Sequence, residues 1–87
     1  MRIVLDFFEV YSKDDLHDLL QESFDFPDEY GRNLDAAYDY LTDITDETDI
    51  ILEHVDCLEE SLGRYAESFL QMMEDAANEN DNLTLIH

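Results

Sequence analysis

Basic residues are what this chain has least of: four Lys and Arg stand against 24 Asp and Glu, giving a formal net charge of −20 over 87 residues. Nucleic acids and anionic membranes are gripped through phosphates, and phosphates need Lys and Arg. The shortage therefore excludes direct binding to either. Cysteine is nearly missing too. With Cys57 alone, a disulfide framework is excluded, which fits a reducing, cytoplasmic setting. No basic segment leads into an apolar stretch at the start of the chain, so no signal peptide is expected. No apolar run approaches the roughly 20 residues of a membrane span. Two glycines and one proline leave no Gly-rich phosphate loop, no internal repeat and no low-complexity linker.

What is present is a hydrophobic fraction of 45%, enough to argue against disorder despite the charge. The length predicts one domain, residues 1–87, with a modest core. Between Asp25 and Glu60 there are 13 acidic residues and one basic residue, Arg32. A chain charged in this way attracts basic proteins and repels copies of itself, so it is expected to be a monomer when free.

The hydrophobic pattern alternates strands with helices. Arg2–Phe8 reads as a strand buried on much of both faces, and Ile50–Leu52 as a second, fully buried one. Ser12 with Asp15 three residues on is a capping-box pattern. The helix it opens carries Leu16, Leu19, Leu20 and Phe24 inward. Asp43–Asp49 is an acidic connection. Asp56 with Glu59 suggests a cap for a brief helix over Cys57–Leu62, and Gly63 can stop it. Arg64–Asn78 is a helix on which Tyr65, Phe69, Met72, Met73 and Ala76 recur at three and four. Asn78–Asn82 is a turn and Leu83–Ile86 the last strand. Strands alternating with helical pairs predict an α/β fold with a small parallel sheet.

The stretch Phe26–Thr42 is the most informative. Pro27 fixes φ, and Gly31 is expected to supply a left-handed backbone in the turn. Asn33 reads as a helix N-cap, with Asp35 in the first turn where the dipole favours a negative charge. Leu34, Ala37 and Leu41 should face inward, and Tyr40, turned away from the acidic side, should pack. Asp35, Asp39 and Asp43 follow at i, i+4 and i+8. Each such pair of like charges costs a helix a few tenths of a kcal/mol, so local stability does not ask for this ridge. It is either a solvated face or a surface for a cationic partner. Tyr38 lies on the seam between the ridge and the inner face.

The run Phe-Pro-Asp-Glu-Tyr-Gly-Arg-Asn-Leu-Asp-Ala-Ala-Tyr-Asp-Tyr-Leu-Thr resembles the core signature of the barstar family, intracellular inhibitors of secreted ribonucleases. The turn, the Gly, the Asn-Leu-Asp and the second Asp keep the family's spacing. Ala66–Gln71 resembles a family helix as well. The resemblance implies a three-stranded parallel sheet packed with about four helices, and a 1:1 complex with a basic ribonuclease, extracellular or delivered as a toxin. It implies an acidic helix that blocks the active site, with Asp35 and Asp39 standing in for RNA phosphates and Asp39 in the phosphate pocket. Tyr38 would replace the family's Trp as an aromatic anchor. Asn33 and Thr42 would be polar contacts and Asp75 an acidic rim residue. Glu29, Gly31, Asp43 and Ile44 complete the expected partner face, together with Tyr30, which could be core or interface. Glu29 stands where the family has a Tyr, and Asp43-Ile44 where it has Gly-Trp, so the cognate nuclease is left open. The alternative is an acidic immunity or nucleic-acid-mimic module that masks another basic protein.

Other chemistry finds little support. The carboxylates line an exposed helix with no nucleophile motif nearby, so no enzyme is expected. Asp43–Thr48 begins like a calcium loop, but Thr48 occupies the sixth place, which needs Gly, and His54 the twelfth, which needs Glu. No metal or cofactor is expected. His17, His54 and His87 read as surface or edge residues, and Cys57 as a small buried hydrophobe. An acyl carrier protein would need Asp-Ser-Leu, whereas Glu60 precedes Ser61-Leu62. The helical immunity proteins of DNase colicins lack the strands seen at both ends here.

Overall fold

A computed structural model describes all residues, 1–87. The order is β1 (Arg2–Asp6), α1 (Lys13–Phe24), α2 (Leu34–Thr42), β2 (Thr48–Glu53), α3 (Val55–Leu62), α4 (Arg64–Glu79) and β3 (Leu83–Ile86). The strands form one parallel sheet in the order β1-β2-β3. This is the α/β architecture with four helices that the alternation predicts.

The sheet corrects one expectation. Neither β1 nor β2 is buried on both faces. Ile3 and Leu5 of β1 point into the core, as do Thr48, Ile50 and Leu52 of β2, while the alternate residues are exposed or half-buried. The reason is topological. Strands laid down in sequential order take two crossovers in the same direction, and crossovers of one hand then deliver every helix to the same face. The other face stays open, with Val4, Ile51 and Ile86 side by side across it. β1 is also shorter than expected. The carboxylate of Asp6 accepts the Phe8 N–H at 3.0 Å and turns the chain. Phe7 still reaches the core, edge-on to Phe69 with ring centroids 5.7 Å apart.

Local signals place the helices. Ser12 Oγ accepts the Asp15 N–H at 3.1 Å, and the Asp15 carboxylate accepts the Tyr11 N–H at 3.0 Å, closing the capping box one residue further back than usual. Asn33 Oδ1 accepts the Ala36 N–H at 2.8 Å, as its N-cap reading requires. Gly63 ends α3 with φ 53°. Asp56 is not the α3 cap: that residue is His54, in a left-handed conformation and without a side-chain bond to the helix. Asp56 instead sits in the first turn, where its charge suits the dipole.

Candidate functional site

The turn before α2 is held differently from its sequence reading. The left-handed residue is Arg32, at φ 54°, and not Gly31. A left-handed backbone costs a residue with a Cβ roughly 1–2 kcal/mol, and the guanidinium supplies the compensation. It donates to Gln21 Oε1 at 3.1 Å, to the Asp14 carbonyl at 3.0 Å and to Asp18 Oδ1 at 2.8 Å. These bonds clamp the turn to α1. Gly31 is closely flanked instead: a Cβ there would lie 3.3 Å from Asn33 Nδ2, which would have to shift slightly, and 3.4 Å from the Ala36 Cβ.

Beneath the turn, His17 corrects the surface assignment. It is 2% exposed, and its Nδ1 and Nε2 each lie 2.7 Å from a tyrosine hydroxyl, of Tyr30 and Tyr65 respectively. Spacing could have found it, because His17 precedes Leu20 by three residues and Phe24 by seven and so shares their inward face. Burial, with the nearby Arg32 charge, holds the imidazole below its usual pKa, against the smaller opposing pull of Asp14 and Asp18. Burial likewise pushes the Tyr30 hydroxyl up to about 12. Tyr30 is a core residue, 4% exposed. Its ring packs on Phe26 and Tyr40, with centroids 4.9 and 6.0 Å away, and it supports the turn from below. Tyr40 stacks on Phe26 at 4.9 Å, as a packing residue should.

From this base α2 projects its acidic ridge. Asp35, Asp39 and Asp43 are all exposed. The salt bridges of the molecule join Arg32 to Asp14 and Asp18, and His54 Nδ1 lies 2.7 Å from Asp6 Oδ1, so no cation neutralises the ridge. Asp43 is the C-cap of α2, at the negative end of the dipole, where a carboxylate is disfavoured. Thr42 turns its hydroxyl back to the Tyr38 and Asp39 carbonyls, at 2.9 and 3.1 Å. Ile44 is half-buried against the core, while Glu29 and Gly31 are exposed on the turn.

Tyr38 is half-buried and forms one wall of a groove of about 550 Å³ between α2 and α4. Leu34, Tyr38 and Met72 give it an apolar lining, and Asp35, Glu67 and Asp75 ring it with carboxylates. Ser68 and Gln71 complete it, and Gln71 Nε2 donates to Asp75 Oδ1 at 3.0 Å. Of the residues expected at the partner face, Asp35, Tyr38 and Asp75 line this groove, and Glu67 and Gln71, which were not among them, line it too. The spacing was available: Glu67, Gln71 and Asp75 follow at i, i+4 and i+8 along one side of α4. Cys57, read as buried, is half-buried; burial pushes its thiol up, as do the Asp56, Glu60 and Asp6 charges. No cluster of His, Cys, Asp or Glu side chains converges to hold a metal ion.

A parallel three-stranded sheet carrying helices on one face, with an unneutralised acidic helix beside a carboxylate-rimmed groove, defines a small α/β protein with a strongly acidic surface. A sequence model of the family described as "Barstar (barnase inhibitor)" matches residues 1–86, and the chain belongs to that family. It is also 37% identical over 79 residues to the Bacillus subtilis (strain 168) protein named "Putative ribonuclease inhibitor YrdF", an alignment covering 90% of this chain and 87% of that protein.

Proposed function

We propose that this chain inhibits a basic ribonuclease by laying α2 across the enzyme's active-site cleft. The observation that carries the reading is the exposed row Asp35, Asp39 and Asp43, which no cation in the molecule neutralises. Ribonucleases present Lys, Arg and His to RNA phosphates, and carboxylates on a rigid helix can occupy those places with charge-assisted hydrogen bonds. Asp39, at the middle of the ridge, takes the phosphate pocket. Tyr38 is the aromatic anchor beside it. The groove receives a basic side chain, its stem against Leu34 and Met72 and its charge among Asp35, Glu67 and Asp75. Asn33, Thr42, Glu29 and the backbone at Gly31 frame the contact, with Ile44 at its far end. The protein acts in the cytoplasm as a monomer, in a 1:1 complex and without a cofactor, sparing the cell that makes or receives the nuclease.

The family description names barnase, which makes barnase the first enzyme to try. Titrating it with the chain should abolish RNA cleavage at one equivalent. Asp39→Ala should weaken the complex by roughly 2–5 kcal/mol, a size borrowed from desolvated charge pairs at interfaces, the barnase–barstar interface among them, and not read from this geometry. Full cleavage in the presence of excess chain would reject barnase as a target. Capture of another basic protein without loss of RNA cleavage would favour the masking alternative.

A further inference from the structure

We infer that Asn80 is a positioning residue for the acidic helix, and that it sets where Asp39 and Asp43 stand from the loop that follows α4. The inference rests on the reading of the ridge as the partner-binding surface. Asn80 follows α4 as its C-cap and is 8% exposed. Its Nδ2 donates to the Leu41 carbonyl at 3.0 Å and to the Ile44 carbonyl at 2.9 Å. Its Oδ1 accepts the Asn82 N–H at 3.0 Å. Only one orientation of the amide serves these neighbours, because both groups facing Nδ2 are acceptors and the group facing Oδ1 is a donor. Asn82 Nδ2 adds a second bond to the Ile44 carbonyl, at 3.1 Å.

These bonds fall where α2 needs them. The last carbonyls of a helix have no partner within it, and α2 ends with no basic side chain in its final turn. The Ile44 N–H reaches the Leu41 carbonyl only at 3.3 Å. Asn80 and Asn82 therefore do the work of a C-cap from 36 or more residues away in sequence. The same loop is fixed to the sheet, since the Asn82 carbonyl accepts the Thr48 N–H at 2.8 Å. Asn33 anchors the other end of the helix through the Ala36 N–H. The ridge is thus held at two separate points, Asp35 near one and Asp43 near the other, with Asp39 between them. Charge-assisted bonds into a cationic cleft depend on small displacements. Loss of the distal clamp should be felt by Asp43 and Asp39 before Asp35.

A merely structural asparagine would lower stability without favouring one end of the ridge, so the test is a double-mutant cycle in binding. Asn80→Ala is combined in turn with Asp35→Ala, Asp39→Ala and Asp43→Ala, and affinity for barnase is measured well below the melting transition of each variant. Asn80→Ala alone should weaken binding about tenfold, mostly through faster dissociation. Its effect should shrink when Asp39 or Asp43 is already removed and persist when Asp35 is removed. Hydrogen exchange of the free variant should show lost protection at the Asp43 and Ile44 amides with Ala36 and Ala37 unchanged. If Asn80→Ala does not fold, Asn82→Ala removes one bond and should show the same pattern at smaller size. Equal coupling to all three aspartates, or affinity unchanged by Asn80→Ala, overturns the inference. If Asp39→Ala itself leaves affinity unchanged, the reading of the ridge has failed instead.

Discussion

A neutral imidazole between two hydroxyls has one donor and one acceptor to offer, and His17 offers both to Tyr30 and Tyr65. Its surroundings decide the pH response. Asp14 and Asp18 favour the charged form, but burial and the Arg32 guanidinium outweigh them, so the folded pKa lies below the ordinary value of 6.5. The unfolded chain then binds more protons than the folded one between those two values. Stability contributed by neutral His17 is complete above pH 6.5 and is lost as pH falls from there toward the folded pKa. Urea melts from pH 7.5 down through 5.5 should show this loss, and His17→Gln should flatten it while lowering stability overall. An unchanged slope in the variant would assign the pH dependence to another group. The same residue links α1 to the turn and to α4, so the ring that tunes stability also supports the floor of the candidate site.

At the scale of the element, the proposed role of α2 sets folding against binding. Asp39 stands one turn from Asp35 and one from Asp43, and no cation lies within reach of it. Replacing it by Ala removes two repulsive contacts of a few tenths of a kcal/mol each and inserts a better helix former. Asp39→Ala should therefore melt at or above the wild-type temperature, most clearly at low salt, while losing affinity for the nuclease. A variant that melts well below wild type would show that Asp39 has a structural partner. The ridge, its Asn33 cap and the length of α4 were legible in the sequence because each rests on local spacing, at i+3 or i+4. What escaped was set by distant chain. The open face of the sheet follows from the hand of two crossovers. The left-handed turn residue is Arg32 because α1 carries acceptors for its guanidinium. The clamp at the end of α2 belongs to asparagines that read only as a turn. Tyr30, which the sequence left open between core and interface, is in the core, where His17 gives its hydroxyl a buried partner.

Charge acts on the whole molecule at once. A net charge of −20 is spread over a body with a radius of gyration of 11.8 Å and a longest dimension of 32 Å. At 0.1 M salt the screening length is about 10 Å, so opposite sides hardly sense each other, whereas at 0.01 M it is about 30 Å and the whole surface repels itself. The open sheet face is mixed: its central row is Val4, Ile51 and Ile86, with Arg2, Asp49 and Thr84 in the row on one side and Asp6 and Glu53 on the other. Self-repulsion of this size destabilises the compact state, and the same field draws in a basic partner. Salt should therefore move two measurements in opposite directions. Raising NaCl from 0.01 to 0.1 M should increase the urea midpoint of the free protein, because the repulsion being screened among 24 acidic residues outweighs the few attractive pairs that Arg32 makes. Over the same range the association rate with a basic nuclease should fall at least tenfold, since steering is worth about 10–10³ in rate, while dissociation changes much less because it reports short-range contacts. Stopped-flow association and urea melts on the same samples make the comparison direct. An association rate indifferent to salt would mean that the charge serves solubility and that the carboxylates of α2 do not steer the encounter.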